Sequence, residues 1–231
     1  MSARADLDKE PDDVAEMFDE VSPRYDVMND MTTFGQIRVW REAVAAAVDP
    51  HPGVKILDIA AGTGTAAAIY AARGATVSAC DFSHGMLAEG EQRHPELDFR
   101  WADAMDLPYD DDSFDVTTIS YGLRNVHDPQ KALEEMLRVT KPGGRLVVAE
   151  FSQPVNPLFR DVYYFYLSAV IPALSSLFSS DSPAYGYLID SIRDWPRQEE
   201  LATMIQQAGW RHVGYRNLCG GIVAIHRASK A

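Results

Sequence analysis

At 231 residues and 46% apolar composition, the chain is sized for a single hydrophobic core, with little left for a second independent domain. Its formal net charge of −13 opposes attraction to phosphate backbones and sets nucleic acid aside as a partner.

Residues 1–30 carry ten acidic against three basic side chains and read as a solvated acidic arm. They hold no apolar run behind a basic start, so no secretory signal is expected and the protein is placed in the cytoplasm. From Val54 onward, short β-branched runs alternate with longer helical patterns, which predicts βα units on a parallel sheet. Strands are expected at 54–59, 76–81, 99–102, 114–120 and 145–151. The fourth and fifth are nearly continuous in apolar or β-branched residues, as strands buried on both faces are. Between them Ala132, Leu133, Met136, Leu137 and Thr140 recur at helical spacing, and Pro142, Gly143 and Gly144 are expected to stop that helix. Residues 152–196 interrupt the alternation with aromatics, prolines and serines. A helix at about 197–208 follows, then strands at 210–218 and 222–228 joined tightly through Gly220 and Gly221, and therefore antiparallel.

The expected architecture is a doubly wound α/β fold, with a mostly parallel seven-stranded sheet, an antiparallel edge strand and a helical cover. One domain divides into an N-terminal cover (1–50), a cofactor-binding core (51–151), a substrate-covering insertion (152–196) and a C-terminal helix with a strand hairpin (197–231). Cys80 and Cys219 are too far apart for a C-x-x-C motif and read as buried small apolar residues.

The strongest local signal is Asp58-Ile59-Ala60-Ala61-Gly62-Thr63-Gly64, a strand running into a glycine turn that opens a helix. Gly62 and Gly64 let the backbone turn sharply and approach a ligand, and the helix start offers free N–H donors to an anionic group. Asp81 ends the second strand, where ligands bind in open α/β sheets, and its carboxylate suits two ribose hydroxyls. Asp103-Ala104 ends the third strand and suits an adenine edge, and Ser120 ends the fourth. An NAD(P) enzyme is the competing reading, although Ala67 stands where a third glycine would be. Asp106, Asp110, Asp111, Asp112 and Asp115 read as a solvated turn, and no metal site is expected there.

The order D-x-A-x-G-T-G, Asp81, Asp103-Ala104 and Lys141-Pro142-Gly143-Gly144 is similar to class I S-adenosylmethionine methyltransferases. More specifically, the chain resembles the C-methyltransferases of menaquinone and ubiquinone biosynthesis, over nearly its whole length. Phe18-Asp19, Tyr25-Asp26, Trp40-Arg41, the run from Ile119 through Gly122-Leu123-Arg124-Asn125-Val126, Glu150-Phe151-Ser152, Tyr187-Leu188 and the C-terminal Gly221-Ile222-Val223-Ala224-Ile225-His226 carry that match. The resemblance implies S-adenosylmethionine as cofactor, contacted by Gly62, Thr63, Asp81, Asp103, Ala104 and Ser120. It implies C-methylation of demethylmenaquinol, with a ubiquinone-pathway benzoquinol as the near alternative.

An aromatic carbon is a poor nucleophile until an adjacent hydroxyl of ordinary pKa near 10 ionises, so the reduced quinol is the expected substrate. Arg124 is expected to hold the phenolate oxygen, since its fork of donors suits an oxyanion and it cannot act as a base. Asn125 and Tyr25 are expected to orient that oxygen or a water. A structural ion pair of Arg124 with Asp115 or Asp128 is the alternative. His127, before Asp128-Pro129, reads as part of a helix-capping turn rather than as a base, and His226 as a core residue.

Residues 162–180 carry no charge but are interrupted by Pro172 and diluted by serines, which argues against a membrane span. They are expected to form an amphipathic cover lining an apolar channel for the prenyl tail, with Phe165 and Leu174 facing it. Transient membrane contact at the inner face, without basic residues, and a homodimer complete the expected partners.

Overall fold

The computed structural model describes residues 7–170 and 182–231, with side chains described from 186 in the second stretch. Three helices open the chain: α1 (Pro11–Val21), α2 (Tyr25–Thr32) and α3 (Gln36–Val48). Then β1 (Lys55–Ile59), α4 (Thr65–Ala72), β2 (Thr76–Asp81), α5 (His84–Arg93), β3 (Asp98–Trp101) and β4 (Phe114–Ser120) follow in alternation. Helix α6 (Pro129–Val139) and β5 (Thr140–Phe151) close the regular part. Helix α7 (Pro157–Phe165), a wider helical turn at Tyr166–Val170 and helix α8 (Ser182–Asp194) lie in the expected insertion. Helix α9 (Gln198–Gln207), β6 (Arg211–Leu218) and β7 (Val223–Ser229) end the chain.

The seven strands form one sheet in the order β3-β2-β1-β4-β5-β7-β6. All pairings from β3 to β5 are parallel, and β7 runs against both β5 and β6. The reversed strand therefore enters one place inside the edge, and the hairpin as a whole makes the antiparallel edge.

Alternation along the strands divides the core. Leu57, Ile59, Ile119 and Val148 face α6 and α9, where Leu133, Met136, Leu201 and Ile205 meet them. Ile56, Val116, Val147 and Ala149 face α3 and α4, against Val44, Val48, Ala67 and Tyr70. The centres of β4 and β5 are buried on both faces, which is why apolar and β-branched residues fill 116–119 and 146–149 without polar alternation.

Helix α6 begins as its sequence requires, with Pro129 in the first turn and the Asp128 side chain accepting the Lys131 N–H at 3.1 Å. Its end differs from expectation. The helix passes directly into β5 at Thr140, and the Pro142-Gly143-Gly144 stretch is a bulge inside that strand, where the partner of β4 jumps from Thr140 to Arg145. A Cβ at Gly144 would lie 2.9 Å from the Asp115 carbonyl oxygen, so a close strand approach, not a helix stop, requires that glycine.

The cover is one packed body. Tyr163, Leu167, Ile189 and Ile192 cluster with Met28 of α2, and the Tyr166 hydroxyl donates to the Thr32 carbonyl at 2.6 Å. Leu174, Pro172 and the serines from 175 to 180 lie outside the described residues. No helix among the described residues is long and apolar enough to cross a membrane.

Candidate active site

The carboxyl ends of β1 and β4 turn sharply beside each other. Ala60 and Tyr121 both sit in left-handed backbone, at φ 51° and 60°, and a Cβ on Gly122 would approach the Ala60 Cβ to 2.4 Å. Left-handed backbone at such residues costs about 1–3 kcal/mol each and persists only where the surroundings impose it. Here it sets the Tyr121 ring against Phe151 and Trp40, with centroids at 5.2 and 6.4 Å. Of the two glycines singled out in the β1 turn, Gly62 lines a cavity. Gly64 is structural: its φ is 76°, and a Cβ there would reach the Phe99 ring at 2.5 Å.

One cavity runs over the strand ends and is bounded by Gly62, Asp81, Asp103, Ala104, Ser120 and Asn125. Asp81 is not at an exposed strand end. It is 8% accessible, and its two oxygens accept the Gly62 and Ser83 N–H groups at 2.8 and 2.9 Å. Burial pushes its carboxyl up from the usual range, against the pull of these donors. Asp103 accepts the Met105 N–H at 2.8 Å.

A second compartment continues under the turn, bounded by Tyr25, Arg41, Asp58, Thr63, Ser120 and Tyr121. Thr63 lines this compartment, where its hydroxyl donates to Asp26 at 2.6 Å. Among the described residues, the Asp58 Oδ2 and the Ser120 hydroxyl are buried without a hydrogen-bond partner. Two orphaned acceptors, the Arg41 guanidinium and the start of α4 suit the ammonium and carboxylate of an amino-acid moiety. The residues present thus fit the methionyl half of S-adenosylmethionine.

Burial, with the neighbouring Asp81 charge, pushes Asp58 up to about 8. The native state holds a proton there that the unfolded chain gives up, so stability of the ligand-free protein falls as pH rises from 3.8 towards 8. Asp58→Asn is expected to flatten the melting temperature between pH 6 and 8. An unchanged slope in differential scanning fluorimetry would place the titration elsewhere.

Asp26, which leaves no signal in the sequence beyond the family resemblance, binds the cover to the core. Its carboxylate takes Arg41 of α3 at 2.7 Å, Arg93 of α5 at 2.6 Å and the Thr63 hydroxyl. Asp19 of α1 does the same work beside Asp81, accepting the Ser83 hydroxyl at 2.5 Å and the Gly85 N–H at 2.7 Å. Asp26→Ala leaves two cations facing each other, and we expect cofactor affinity to fall about tenfold, equivalent to the roughly 1.4 kcal/mol of one charge-assisted contact. Isothermal titration calorimetry with S-adenosylhomocysteine checks this, and unchanged affinity would reduce Asp26 to a surface clamp.

Behind Tyr25 and Tyr121 lies a third, mainly apolar compartment with Phe18, Met28, Ile37, Arg124 and Phe151 in its wall. Arg124 is 5% accessible and lines this cavity, whereas Asn125, its neighbour, lines the cavity over the strand ends. The ion-pair partner of Arg124 is neither Asp115 nor Asp128. Its Nη1 donates to Glu150 Oε1 at 2.8 Å and to the Tyr121 carbonyl, and its backbone N–H reaches Glu150 Oε2 at 3.2 Å. Asp115 is held by Lys141 and the Lys55 N–H, and Asp128 caps α6. The Arg124 Nε is buried without a partner among the described residues. Burial pushes Glu150 up from its usual range while Arg124 opposes the shift. Burial also raises the Tyr25 hydroxyl, which stays neutral at physiological pH. The Tyr187 hydroxyl donates to Asn125 Oδ1 at 3.2 Å, which leaves the Asn125 amide hydrogens turned the other way.

The remaining expectations are settled by packing. His226 is fully buried with Nε2 at 2.8 Å from the Gln198 carbonyl oxygen, and His127 meets the Asp8 carbonyl oxygen at 3.1 Å. Cys80 is buried, but Cys219 is exposed and lies 3.3 Å from the Trp40 indole nitrogen, because it sits in the tight β6–β7 turn. Asp111, Asp112 and Asp115 pair with Arg138, Lys230 and Lys141. Phe165 does not face the apolar channel and is 67% accessible, since Tyr163 and Leu167 take the inner face of that helix.

The profile of the ubiE/COQ5 methyltransferase family matches residues 5–230. A demethylmenaquinone methyltransferase of Paenarthrobacter aurescens is 58% identical over 227 residues, covering 98% of this chain and 90% of its own. One from Renibacterium salmoninarum is 57% identical over 228 residues, covering 99% and 96%. Among solved structures, a SAM-dependent methyltransferase from Thermotoga maritima superposes with a TM-score of 0.68 at 18% identity, over 94% of this chain and all of the other. That last likeness shows the fold alone.

Proposed function

The chain belongs to the ubiE/COQ5 methyltransferase family, and from that premise we propose that it transfers the methyl group of S-adenosylmethionine to a ring carbon of demethylmenaquinol, giving menaquinol. The observation that carries this reading is the junction of two compartments. Tyr25 and Tyr121 line both the cavity over the strand ends, which Asp81, Asp103 and Asn125 also line, and the cavity that holds Arg124. A cofactor on one side and an aromatic ring on the other would meet there.

The sulfonium of the bound cofactor supplies an electrophilic methyl group, so the protein's own task is alignment, exclusion of water and stabilisation of the phenolate. Gly62, Asp81, Asp103, Ala104 and Ser120 would hold the nucleoside end, with Thr63 and Asp58 at the amino-acid end. Arg124, fixed by Glu150, offers a buried positive charge and an unpaired Nε donor to the developing oxyanion. Asn125, oriented by Tyr187, and neutral Tyr25 position that oxygen or the water that carries its proton away. A ring with a prenyl tail fits because the Arg124 compartment shares Thr32, Thr33, Phe151 and Leu188 with a further cleft, whose walls include Trp40, Tyr163, Leu167 and Ile222. Such a substrate resides in a bilayer, so the enzyme works at the inner face of the membrane as a peripheral protein.

The test is incubation with labelled S-adenosylmethionine and each reduced quinone in turn, with the product identified by mass spectrometry. Label in menaquinol supports the reading. Label in a benzoquinol alone would move the chain to the ubiquinone pathway.

A further inference from the structure

We propose that the apolar cleft opens directly onto a lipid bilayer, through a mouth whose two lips are the outer face of α7 and the turn at Phe34. The proposal rests on the prenylated-quinol reading of the same cleft and names how that substrate reaches it.

The first lip is a stripe. Leu158, Val162 and Phe165 follow one another at spacings of four and three, so they share one side of α7, and with Val155 just before the helix they are 75, 58, 67 and 64% accessible. Three large apolar side chains held in solvent on one helix face, with a fourth at its approach, exceed the scattered exposure of an ordinary surface. The inner side of the same helix is satisfied, with Tyr163 buried in the cover cluster.

The second lip is imposed by the backbone. Phe34 sits at φ 49° and is 73% accessible, in the turn between α2 and α3. A bulky side chain in left-handed backbone is an outlier, and here the strain projects an aromatic ring outward instead of burying one. The Phe34 ring lies 6.2 Å from that of Tyr166, which joins this lip to the α7 side. Phe34, Phe159 and Val162 also line the cleft, of about 320 Å³, so the exposed surface and the cleft wall are continuous.

Continuity selects the occupant. A second protein would cover the stripe yet close the cleft, whereas hydrocarbon covers the stripe and supplies the tail along its own length without exposing it to water. The charge pattern sets the lipid class. Helix α7 carries one cation and one anion, Arg160 and Asp161, and the chain as a whole is strongly acidic. Docking is therefore driven by apolar contact, insensitive to salt and weakened by anionic lipid, the reverse of a polybasic anchor.

The test is co-sedimentation of the full chain with phosphatidylcholine vesicles, without cofactor or quinol. Binding is expected, equal at 50 and 500 mM salt and lower when phosphatidylglycerol is added. Leu158→Glu with Phe165→Glu is expected to lower vesicle partition at least tenfold. The same pair should leave turnover of a tail-less quinol analogue in solution unchanged, since neither residue lines the site. Phe34→Ser should weaken vesicle binding independently, and melting curves confirm that each variant is folded. Wild-type protein that stays in the supernatant, folded variants that bind as wild type does, or salt-sensitive binding that needs anionic lipid would overturn the proposal. So would a concentration-dependent dimer abolished by Leu158→Glu, which would give the stripe to a second copy. Because vesicle binding is read without substrate, its failure leaves the quinol reading standing, and failure of methyl transfer leaves the docking result standing.

Discussion

Arg124→Lys lowers turnover on a saturating quinol by about a hundredfold or more, the range seen when one donor to a developing oxyanion is lost, while cofactor affinity stays within roughly threefold, under about 1 kcal/mol. The guanidinium spends Nη1 on Glu150 and the Tyr121 carbonyl, and its Nε has no hydrogen-bond partner among the described residues. A lysine ammonium is a single point: it can neutralise Glu150 or reach the substrate oxygen, but not both from one position. Lysine is also the fair variant, because it preserves the charge opposite a buried carboxylate. Arg124→Ala would orphan Glu150, at a cost of about 3–5 kcal/mol in stability, and would confound folding with catalysis. Single-turnover rates, calorimetry with S-adenosylhomocysteine and melting curves separate the contributions. Unchanged turnover, or a loss of rate matched by an equal loss of cofactor affinity, would make Arg124 a purely structural ion pair.

The contrast between the expected and observed partners of Arg124 shows what a sequence carries and what it does not. Periodicity reports burial, so the strands at 114–120 and 76–81 stand where their β-branched runs put them, and the Asp128-Pro129 pair caps α6 as its chemistry requires. Pairings across the fold leave no periodic trace. Asp115 and Asp128 were the acidic neighbours visible near Arg124 in the chain, whereas Glu150 comes to it from β5, 26 residues on. Asp26 is equally hidden, since Thr63, Arg41 and Arg93 come from three separate elements. Asp58 could have been found: a carboxylate in a strand apolar on both faces must be neutral or paired, and it stands in the strand that leads to the glycine turn. The bulge at residues 141–144 misled for a related reason, because proline and glycine mark any break in regular backbone without telling a helix stop from a strand irregularity.

Asp81→Asn is expected to lower cofactor affinity at least tenfold, while the melting temperature moves by no more than about 2–4 °C, the shift that roughly 1 kcal/mol produces in a domain of this size. The carboxylate has two tasks. Toward the protein it accepts the Gly62 and Ser83 N–H groups, one on each oxygen, and so ties the β1 turn to the start of α5. Toward the cavity, on the proposed reading, it accepts the ribose hydroxyls, and each hydrogen bond to an ionised acceptor contributes about 1.5–3 kcal/mol. An asparagine keeps the volume and one acceptor oxygen for the turn, but it replaces the other oxygen with a donor and removes the charge. Asp81→Ala loses both tasks, so its affinity should fall further and its melting temperature with it, because two buried N–H groups are left unpaired. The two variants together separate recognition from scaffolding. Equal affinity in wild type and Asp81→Asn would strip Asp81 of the ribose. Equal affinity losses in both variants, tracking equal losses of thermal stability, would leave it as a buttress of the turn alone.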